Sequence, residues 1–184
     1  LYCGAGAGDL LSPVPAVGFH SARLAVIGLG LIGCSWAKGL RVRGCVGHVS
    51  GYDLNPESMR LAQEQGIIDA FSSDVAEVVR DADFIIISVP IMAIRSTLEA
   101  IRQAVSDFAV ITDVGSVKGS VAMDVQAVFG ETFDRFVPGH PIAGSEKAGV
   151  LAANEDLYVC HKVILTPLPV TSELASKRVE LAWQ

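Results

Sequence analysis

One histidine lies in a short segment that is rich in proline and glycine. His140 occurs in VPGHPIAGSEKAGV (137–150), with Pro138-Gly139 before it and Pro141 after it. These neighbours disfavour a helix or a central strand, so the pattern predicts a loop around His140. An imidazole exchanges a proton near neutral pH and can act as a general base. A histidine that only bonds to the backbone is the alternative role at this position.

A second pattern, GLGLIG at 28–33, has the spacing G-x-G-x-x-G. It follows a predicted strand and opens a predicted helix, and Asp53 ends the next predicted strand. This arrangement is typical of a dinucleotide site, in which the glycines let the backbone approach a pyrophosphate and the acid binds ribose hydroxyls. The alternative is a plain glycine turn, with Asp53 capping the helix that follows.

The predicted cofactor is NAD rather than NADP. A 2′-phosphate would be repelled by the Asp53 carboxylate, and residues 54–57 (LNPE) contain no arginine or lysine to bind it. The residues predicted to contact the cofactor are Gly28, Gly30, Leu31, Ile32, Gly33, Asp53, Ser88, Val89 and Pro90.

Apolar, β-branched segments alternate with helical patterns along the chain. The predicted strands are 23–28, 48–53, 84–89, 109–113, 135–137 and 162–166, and the predicted helices are 31–43, 57–65, 74–80, 94–105, 118–128 and 172–183. This alternation predicts an α/β fold, namely a Rossmann-type, doubly wound, mostly parallel sheet. Ligands bind such sheets at the carboxyl ends of the strands, so residues 88–91 and 113–118 are expected beside the glycine loop.

The length and composition are those of a single domain with short appendages. The 184 residues are 51% hydrophobic and 18% charged, which suits a sheet buried on both faces. We predict a flexible N-terminal tail at 1–22, an NAD-binding domain at 23–170, and the start of a helix leading into a further domain at 171–184.

Several classes of partner are disfavoured. The net charge is −6 without a Lys/Arg cluster, so nucleic acid is not expected. The longest apolar run, 84–94, is too short for a membrane span. None of the four cysteines forms a C-x-x-C pair or clusters with histidine, which predicts no metal site and free thiols in the cytoplasm.

Four segments together resemble the prephenate/arogenate dehydrogenase family. They are GLGLIGCS (28–35), DVGSVKGS (113–120), GHPIAGSEKAG (139–149) and DLYVCHKVILTP (156–167), and the resemblance extends over about residues 23–184. It implies NAD-dependent oxidative decarboxylation of prephenate to 4-hydroxyphenylpyruvate, or of arogenate to tyrosine, in tyrosine biosynthesis. A ring hydroxyl loses its proton as hydride leaves the same carbon, and loss of CO₂ makes the ring aromatic.

The resemblance also implies roles for individual residues. His140 would accept the hydroxyl proton, and Ser116 would hydrogen-bond the same hydroxyl or orient His140. Candidates on the substrate side are Gly144, Ser145, Glu146 and Lys147. Ser116 could instead cap the helix that begins near Lys118, and the Glu146–Lys147 pair could be solvated on the first turn of a helix.

The chain departs from the family at two points. Cys34 stands where the family commonly has glycine, a small change that is expected to be tolerated. The resemblance also implies a C-terminal all-helical domain that forms a homodimer and supplies basic residues for the substrate carboxylates. This domain is expected to be missing from this chain. We therefore expect this chain to bind NAD but to be weakly active or inactive alone, with an uncovered apolar face.

Two other functions fit the glycine loop. One is a dehydrogenase of the β-hydroxyacid type, which relies on a lysine in a following helical domain, although the H-P-x-A-G segment argues against it. The other is a non-catalytic NAD-binding module. The sequence leaves open the choice between prephenate and arogenate, feedback inhibition by tyrosine, and any fused upstream domain.

Overall fold

The computed structural model of the chain describes residues 18–144 and 146–184. Its strands are β1 (Ser21–Ile27), β2 (Val46–Tyr52), β3 (Ala70–Phe71), β4 (Phe84–Ile87), β5 (Val110–Asp113), β6 (Phe136–Val137), β7 (Gly139–Pro141) and β8 (Val163–Leu165). Its helices are α1 (Leu31–Val42), α2 (Pro56–Glu64), α3 (Val75–Val79), α4 (Ile94–Ile101), α5 (Lys118–Phe129) and α6 (Glu173–Ala182), with 3₁₀ turns at Ile91–Ala93 and Val150–Ala152.

Six strands form one parallel sheet in the order β3-β2-β1-β4-β5-β6. Every neighbouring pair in this sheet is parallel. The strand order reverses between β1 and β4, which is the position where doubly wound sheets bind their ligands. The predicted Rossmann-type fold class is thus confirmed.

The last two strands lie outside this sheet. β7 and β8 form an antiparallel ribbon in which His140 is opposite Ile164. The prediction of a loop around His140 was therefore wrong, as was the expectation that 162–166 would continue the parallel series. Only Pro138 separates β6 from β7, which is far too short for the crossover that a parallel neighbour requires. Pro141 is tolerated because this strand is at an edge.

The sheet is buried on both faces. On β1, Leu24 and Val26 face one apolar cluster, whereas Ala25 and Ile27 face the other. The residues of β4 are at most 1% exposed. Helices α1 and α6 contribute to the first cluster, and α3, α4 and α5 to the second. This double burial accounts for the near-continuous apolar strands in the sequence.

Packing displaces the predicted boundary of the N-terminal tail and also involves the last predicted helix. Phe19, which was assigned to the flexible tail, is 8% exposed and makes an edge contact with Phe84. Residues 18–22 are thus part of the fold, and residues 1–17 lie outside the described residues. Helix α6, which was assigned to the approach to a further domain, buries Ala175 and Val179 in the first cluster. Its apolar face therefore packs on the sheet, and the further domain to which it was expected to lead stays a prediction.

Candidate functional site

The glycine loop follows β1 and lies directly against the end of β4. Gly28 has a φ of +95°, and a Cβ on it would lie 2.2 Å from the carbonyl oxygen of Ser88. A Cβ on Gly33 would lie 2.4 Å from the carbonyl oxygen of Gly28. The packing of the protein itself therefore requires glycine at both positions.

Gly30 differs because nothing lies within 4 Å of where its Cβ would be. It is the N-cap of α1 and supplies no side chain to bond the free N–H groups of the first turn. No acidic residue occurs in that turn. The open space, the N–H groups without a side-chain cap and the positive end of the helix dipole together fit a phosphate group.

Asp53 follows β2 and holds the glycine loop in place. Its Oδ2 accepts a hydrogen bond of 2.8 Å from the N–H of Leu29, and its Oδ1 accepts one of 2.8 Å from the N–H of Asn55. The cap of α2 is Asn55, whose side chain accepts from the N–H of Glu57. Asp53 therefore does not cap this helix, and each of its oxygens keeps a further lone pair for a ribose hydroxyl.

A cavity of about 760 Å³ opens at the carboxyl ends of β1, β2, β4 and β5. Eight of the nine residues predicted to contact the cofactor line it: Gly28, Gly30, Leu31, Ile32, Asp53, Ser88, Val89 and Pro90. Gly33 is absent from the lining because it packs beneath the loop. This volume and lining fit a dinucleotide with its phosphates at α1.

The sequence analysis missed the wall of the cavity that runs along α4 from its N-cap. This wall is formed by Ala93, Ser96, Thr97 and Ala100. Their spacing of three, four and seven residues puts them on one helical face. A stripe of small residues on the helix after a central strand is the signal that could have found them.

Neither His140 nor Ser116 lines the cavity, but Ser116 directly follows Gly115, which does. His140 follows Gly139, whose N–H donates to the Asp113 carboxylate. The His140 side chain is half-buried and its imidazole makes no hydrogen bond to the described residues. The imidazole of His161, by contrast, lies 3.0 Å from the carbonyl oxygen of Val159. A purely backbone-bonded role for His140 is therefore not observed.

Ser116 is exposed and precedes Val117, the N-cap of α5. That helix has no side-chain cap, so the proposed capping role of Ser116 is not found. Its hydroxyl has no hydrogen-bond partner among residues 18–144 and 146–184. Both Ser116 and His140 thus keep their polar atoms available.

A buried ion pair that the sequence analysis did not identify lies beneath these two residues. The Nζ of Lys118 is 2.5 Å from Oδ2 of Asp113, and the Asp113 side chain is fully buried. Burial raises the pKa of Asp113, opposed by Lys118 and by N–H groups of Gly115 and Gly139. Burial likewise lowers the pKa of Lys118, opposed by Asp113.

Three of the four substrate-side candidates lie in an exposed loop after β7. Gly144, Glu146 and Lys147 are exposed, and no helix includes them. The alternative of a pair on the first turn of a helix was therefore wrong, since the next helical turn starts at Val150. Ser145 lies outside the described residues. The roles of all four residues stay predictions.

The connection from β7 to β8 folds back onto α1. The hydroxyl of Tyr158 donates a hydrogen bond of 2.7 Å to the carbonyl oxygen of Ile32. The N–H of Asn154 donates one of 3.0 Å to the hydroxyl of Ser35, which is buried. The segment that carries His140 is thereby attached to the helix that presents its N-terminus to the cavity.

Among the described residues, no group of three His, Cys, Asp or Glu side chains is arranged to hold a metal ion. Within the same part of the chain, no helix has the length and apolarity needed to cross a membrane.

Residues 36–184 match the family model described as "Prephenate dehydrogenase, nucleotide-binding domain". The match begins within α1, so the glycine loop lies before it. The prephenate dehydrogenase of Lactococcus lactis subsp. cremoris is 36% identical over 148 residues, which are 78% of this chain and 40% of that protein.

Two solved structures are also similar. The Aquifex aeolicus prephenate dehydrogenase, in complex with hydroxyphenyl propionate and NAD⁺, aligns with a TM-score of 0.81 and 37% identity, covering 95% of this chain and 58% of that one. The Synechocystis arogenate dehydrogenase aligns with a TM-score of 0.79 and 31% identity, covering 87% and 55%.

This chain spans about half the length, or less, of the curated relatives that it matches. The family match nevertheless covers most of its described residues. The D-x-G-S-V-K segment lines the cavity beside the glycine loop through Val114 and Gly115, and the His140 ribbon bonds to Asp113 of that segment through Gly139. The resemblance found in the sequence is confirmed: the chain belongs to the prephenate dehydrogenase family, and its matched residues are those of the family's nucleotide-binding domain.

Proposed function

We propose that the complete protein containing this chain is an NAD-dependent dehydrogenase of tyrosine biosynthesis that oxidatively decarboxylates prephenate or arogenate. The observation that carries the proposal is the position of Gly115. It lines the nucleotide cavity, and Ser116 follows it directly. A cofactor in the cavity and a substrate at Ser116 would therefore be neighbours, as hydride transfer requires.

The residues that would hold NAD divide by chemistry. The first turn of α1, beginning at Gly30, would bind the pyrophosphate through backbone N–H groups. Asp53 would accept hydrogen bonds from the ribose of the adenosine half, which favours NAD over NADP. The apolar wall that includes Leu54, Val75 and Ala100 suits the flat face of adenine.

The chemistry divides between cofactor and protein. When bound, NAD supplies the acceptor for the hydride that leaves the substrate. His140 would accept the proton of the ring hydroxyl, because its imidazole has no other hydrogen-bond partner among the described residues. The Ser116 hydroxyl would bind the same oxygen and orient it towards His140. Loss of CO₂ from the oxidised ring then requires no further group on this chain.

The relatives support both substrates. The Lactococcus lactis protein is named a prephenate dehydrogenase, and the Synechocystis protein an arogenate dehydrogenase. The two substrates differ in a keto or an amino group on the side chain, whereas the ring that reacts is the same. We therefore propose the shared ring chemistry and assign no preference between the two substrates.

The remaining partner assignments also stay proposals. We propose that the complete protein forms a homodimer and that residues outside this chain help to bind the substrate carboxylates. We also propose a cytoplasmic location. No described feature assigns a nucleic acid or a membrane as a partner.

The test uses the complete protein with NAD and with either prephenate or arogenate. Formation of reduced nicotinamide, with an equal amount of CO₂, is the expected result for at least one substrate. NAD binding without turnover of either substrate would refute the enzymatic proposal and favour a non-catalytic nucleotide-binding role. Turnover of a β-hydroxyacid instead would assign the chain to a different dehydrogenase reaction.

A further inference from the structure

The carboxylate of Asp113 contacts two backbone segments that carry proposed catalytic residues. Its Oδ2 accepts a hydrogen bond of 2.9 Å from the N–H of Gly115, which precedes Ser116. Its Oδ1 accepts one of 3.2 Å from the N–H of Gly139, which precedes His140. One rigid side chain at the end of β5 therefore connects both segments.

Lys118 completes this arrangement from the first turn of α5. Its Nζ is 2.5 Å from Oδ2 of Asp113 and donates a hydrogen bond of 2.6 Å to the carbonyl oxygen of Gly139. Both backbone polar groups of Gly139 are thus bonded to the ion pair. Hydrogen bonds to charged groups are shorter and stronger than neutral ones. They fix the position and orientation of the peptide that leads into His140.

Close packing adds to this constraint. A Cβ on Gly139 would lie 2.8 Å from the carbonyl oxygen of Asp113 and 3.2 Å from Oγ1 of Thr112. The ribbon of β7 and β8 therefore lies directly on the end of β5, with no space for a side chain between them. The carboxylate can reach the Gly139 backbone only because of this approach.

Stability alone is a poor explanation for the pair. Removing two charges from water carries a large desolvation penalty, and well-packed apolar residues often replace buried ion pairs without loss of stability. Burial raises the pKa of Asp113 and lowers that of Lys118, as expected if the site disfavours both charges. The geometry that the pair enforces explains its presence better.

We infer that Asp113, with Lys118 as its counter-ion, is a positioning residue that fixes Ser116 and His140 relative to one another. It acts through the backbone of Gly115 and Gly139. The inference rests on the proposed function, because that function places the substrate hydroxyl between Ser116 and His140.

The test compares two Asp→Asn variants of the complete protein. Asp113→Asn removes the negative charge of the carboxylate and replaces one of its two acceptor oxygens with an NH₂ group. Asp83→Asn is the matched control at the amino end of β4, where Asp83 accepts from the N–H groups of Ala22 and Arg23 at 2.8 and 3.1 Å and pairs with Arg178 at 2.7 Å. Both variants lose an ion pair and backbone hydrogen bonds, but only the first is next to the proposed site.

We expect Asp113→Asn to lower kcat at least about tenfold, because small displacements of reacting groups reduce rates strongly. The Kd for NAD and the KM for substrate should change by less than about threefold, since the cavity is lined by other residues. Hydrogen exchange of the 139–142 backbone should become faster. Asp83→Asn should keep the wild-type kcat and the wild-type exchange of 139–142, even where its Tm falls equally.

Two results would overturn the inference: wild-type kcat and wild-type exchange in Asp113→Asn, or an equal loss of kcat in Asp83→Asn. If Asp113→Asn does not fold, the double variant Asp113→Asn/Lys118→Met takes its place in the comparison with Asp83→Asn. The double variant removes both charges of the ion pair. If the wild-type protein has no dehydrogenase activity, the proposed function fails. The exchange measurement then decides the inference alone, and unchanged exchange of 139–142 in the variant would overturn it.

Discussion

The backbone N–H of Leu29 donates a hydrogen bond of 2.8 Å to Oδ2 of Asp53. The acid at the end of β2 therefore orders the loop that is proposed to bind the pyrophosphate. Binding of the ribose and binding of the phosphates are connected through this single carboxylate. A change at Asp53 should consequently affect both parts of the nucleotide.

Replacing Asp53 with alanine should raise the Kd for NAD by roughly ten- to a hundredfold, because hydrogen bonds to a charged group are lost. The ratio of the Kd for NADP to the Kd for NAD should fall, since the carboxylate that repels a 2′-phosphate is removed. Isothermal titration calorimetry with each nucleotide measures both effects. Asp81→Ala serves as the control, because it removes an equal charge from a side chain that is 74% exposed. An unchanged preference for NAD in Asp53→Ala would refute this role.

Two alanine substitutions in the glycine loop should separate folding from binding. Gly28→Ala should lower the free energy of unfolding by at least about 2 kcal/mol, because the residue has a positive φ and its Cβ would meet Ser88. Gly30→Ala should change it by less than about 1 kcal/mol but should weaken NAD binding, since its Cβ would enter only the open cavity. Chemical denaturation and calorimetry check the two effects. Normal NAD affinity in Gly30→Ala would show that the phosphates lie elsewhere.

Ser116→Ala should lower kcat about tenfold or more while leaving the Kd for NAD unchanged, because its hydroxyl is proposed to bind the reacting oxygen. Ser120→Ala is the matched control, since that hydroxyl donates to the carbonyl oxygen of Val117 at 3.1 Å. Steady-state kinetics of the complete protein measures the difference. Equal activities of the two variants would remove Ser116 from the proposed site.

The cysteines should differ sharply in reactivity. Burial, and secondarily Asp53, raises the pKa of Cys34 to about 12, whereas Cys160 is exposed. At about pH 8 an alkylating reagent should therefore modify Cys160 in the folded chain and leave Cys34 intact until unfolding. Peptide mass spectrometry identifies the modified residue. Rapid labelling of Cys34 in the folded chain would contradict its buried position.

The raised pKa of Cys34 predicts that the free energy of unfolding depends on pH. The pKa of Cys34 is higher in the folded chain than in the unfolded chain. The stabilisation that the neutral thiol contributes to the folded chain is therefore complete below the ordinary thiol pKa. It is lost as the pH rises towards about 12. The free energy of unfolding of Cys34→Ala should therefore depend less on pH in the alkaline range than that of the wild type. The same pH dependence of the free energy of unfolding in both proteins at alkaline pH would contradict the raised pKa of Cys34.

The sequence predicted those features that depend on local pattern. The apolar run predicted as a strand at 84–89 forms the buried strand Phe84–Ile87, and the glycine spacing followed by Asp53 located the nucleotide cavity. Both signals are contained in short segments whose periodicity or spacing follows from backbone geometry.

The features that were missed depend on contacts distant in the chain. The ribbon pairs Gly139 with Leu165, and the edge contact of Phe19 with Phe84 brings the predicted tail into the core. The buried pair of Asp113 and Lys118 becomes significant only because β7 returns to the end of β5. No local pattern encodes that approach.

The most direct test of the account compares His140→Asn with His161→Asn in the complete protein, with NAD and the preferred substrate. His161 is exposed and its ring lies 3.0 Å from the carbonyl oxygen of Val159, so it serves as a control on the segment that joins β7 to β8. The account predicts that kcat falls by about a hundredfold or more in His140→Asn, with an unchanged Kd for NAD, and stays at the wild-type value in His161→Asn. Retention of full activity in His140→Asn would contradict the assignment of this histidine as the base.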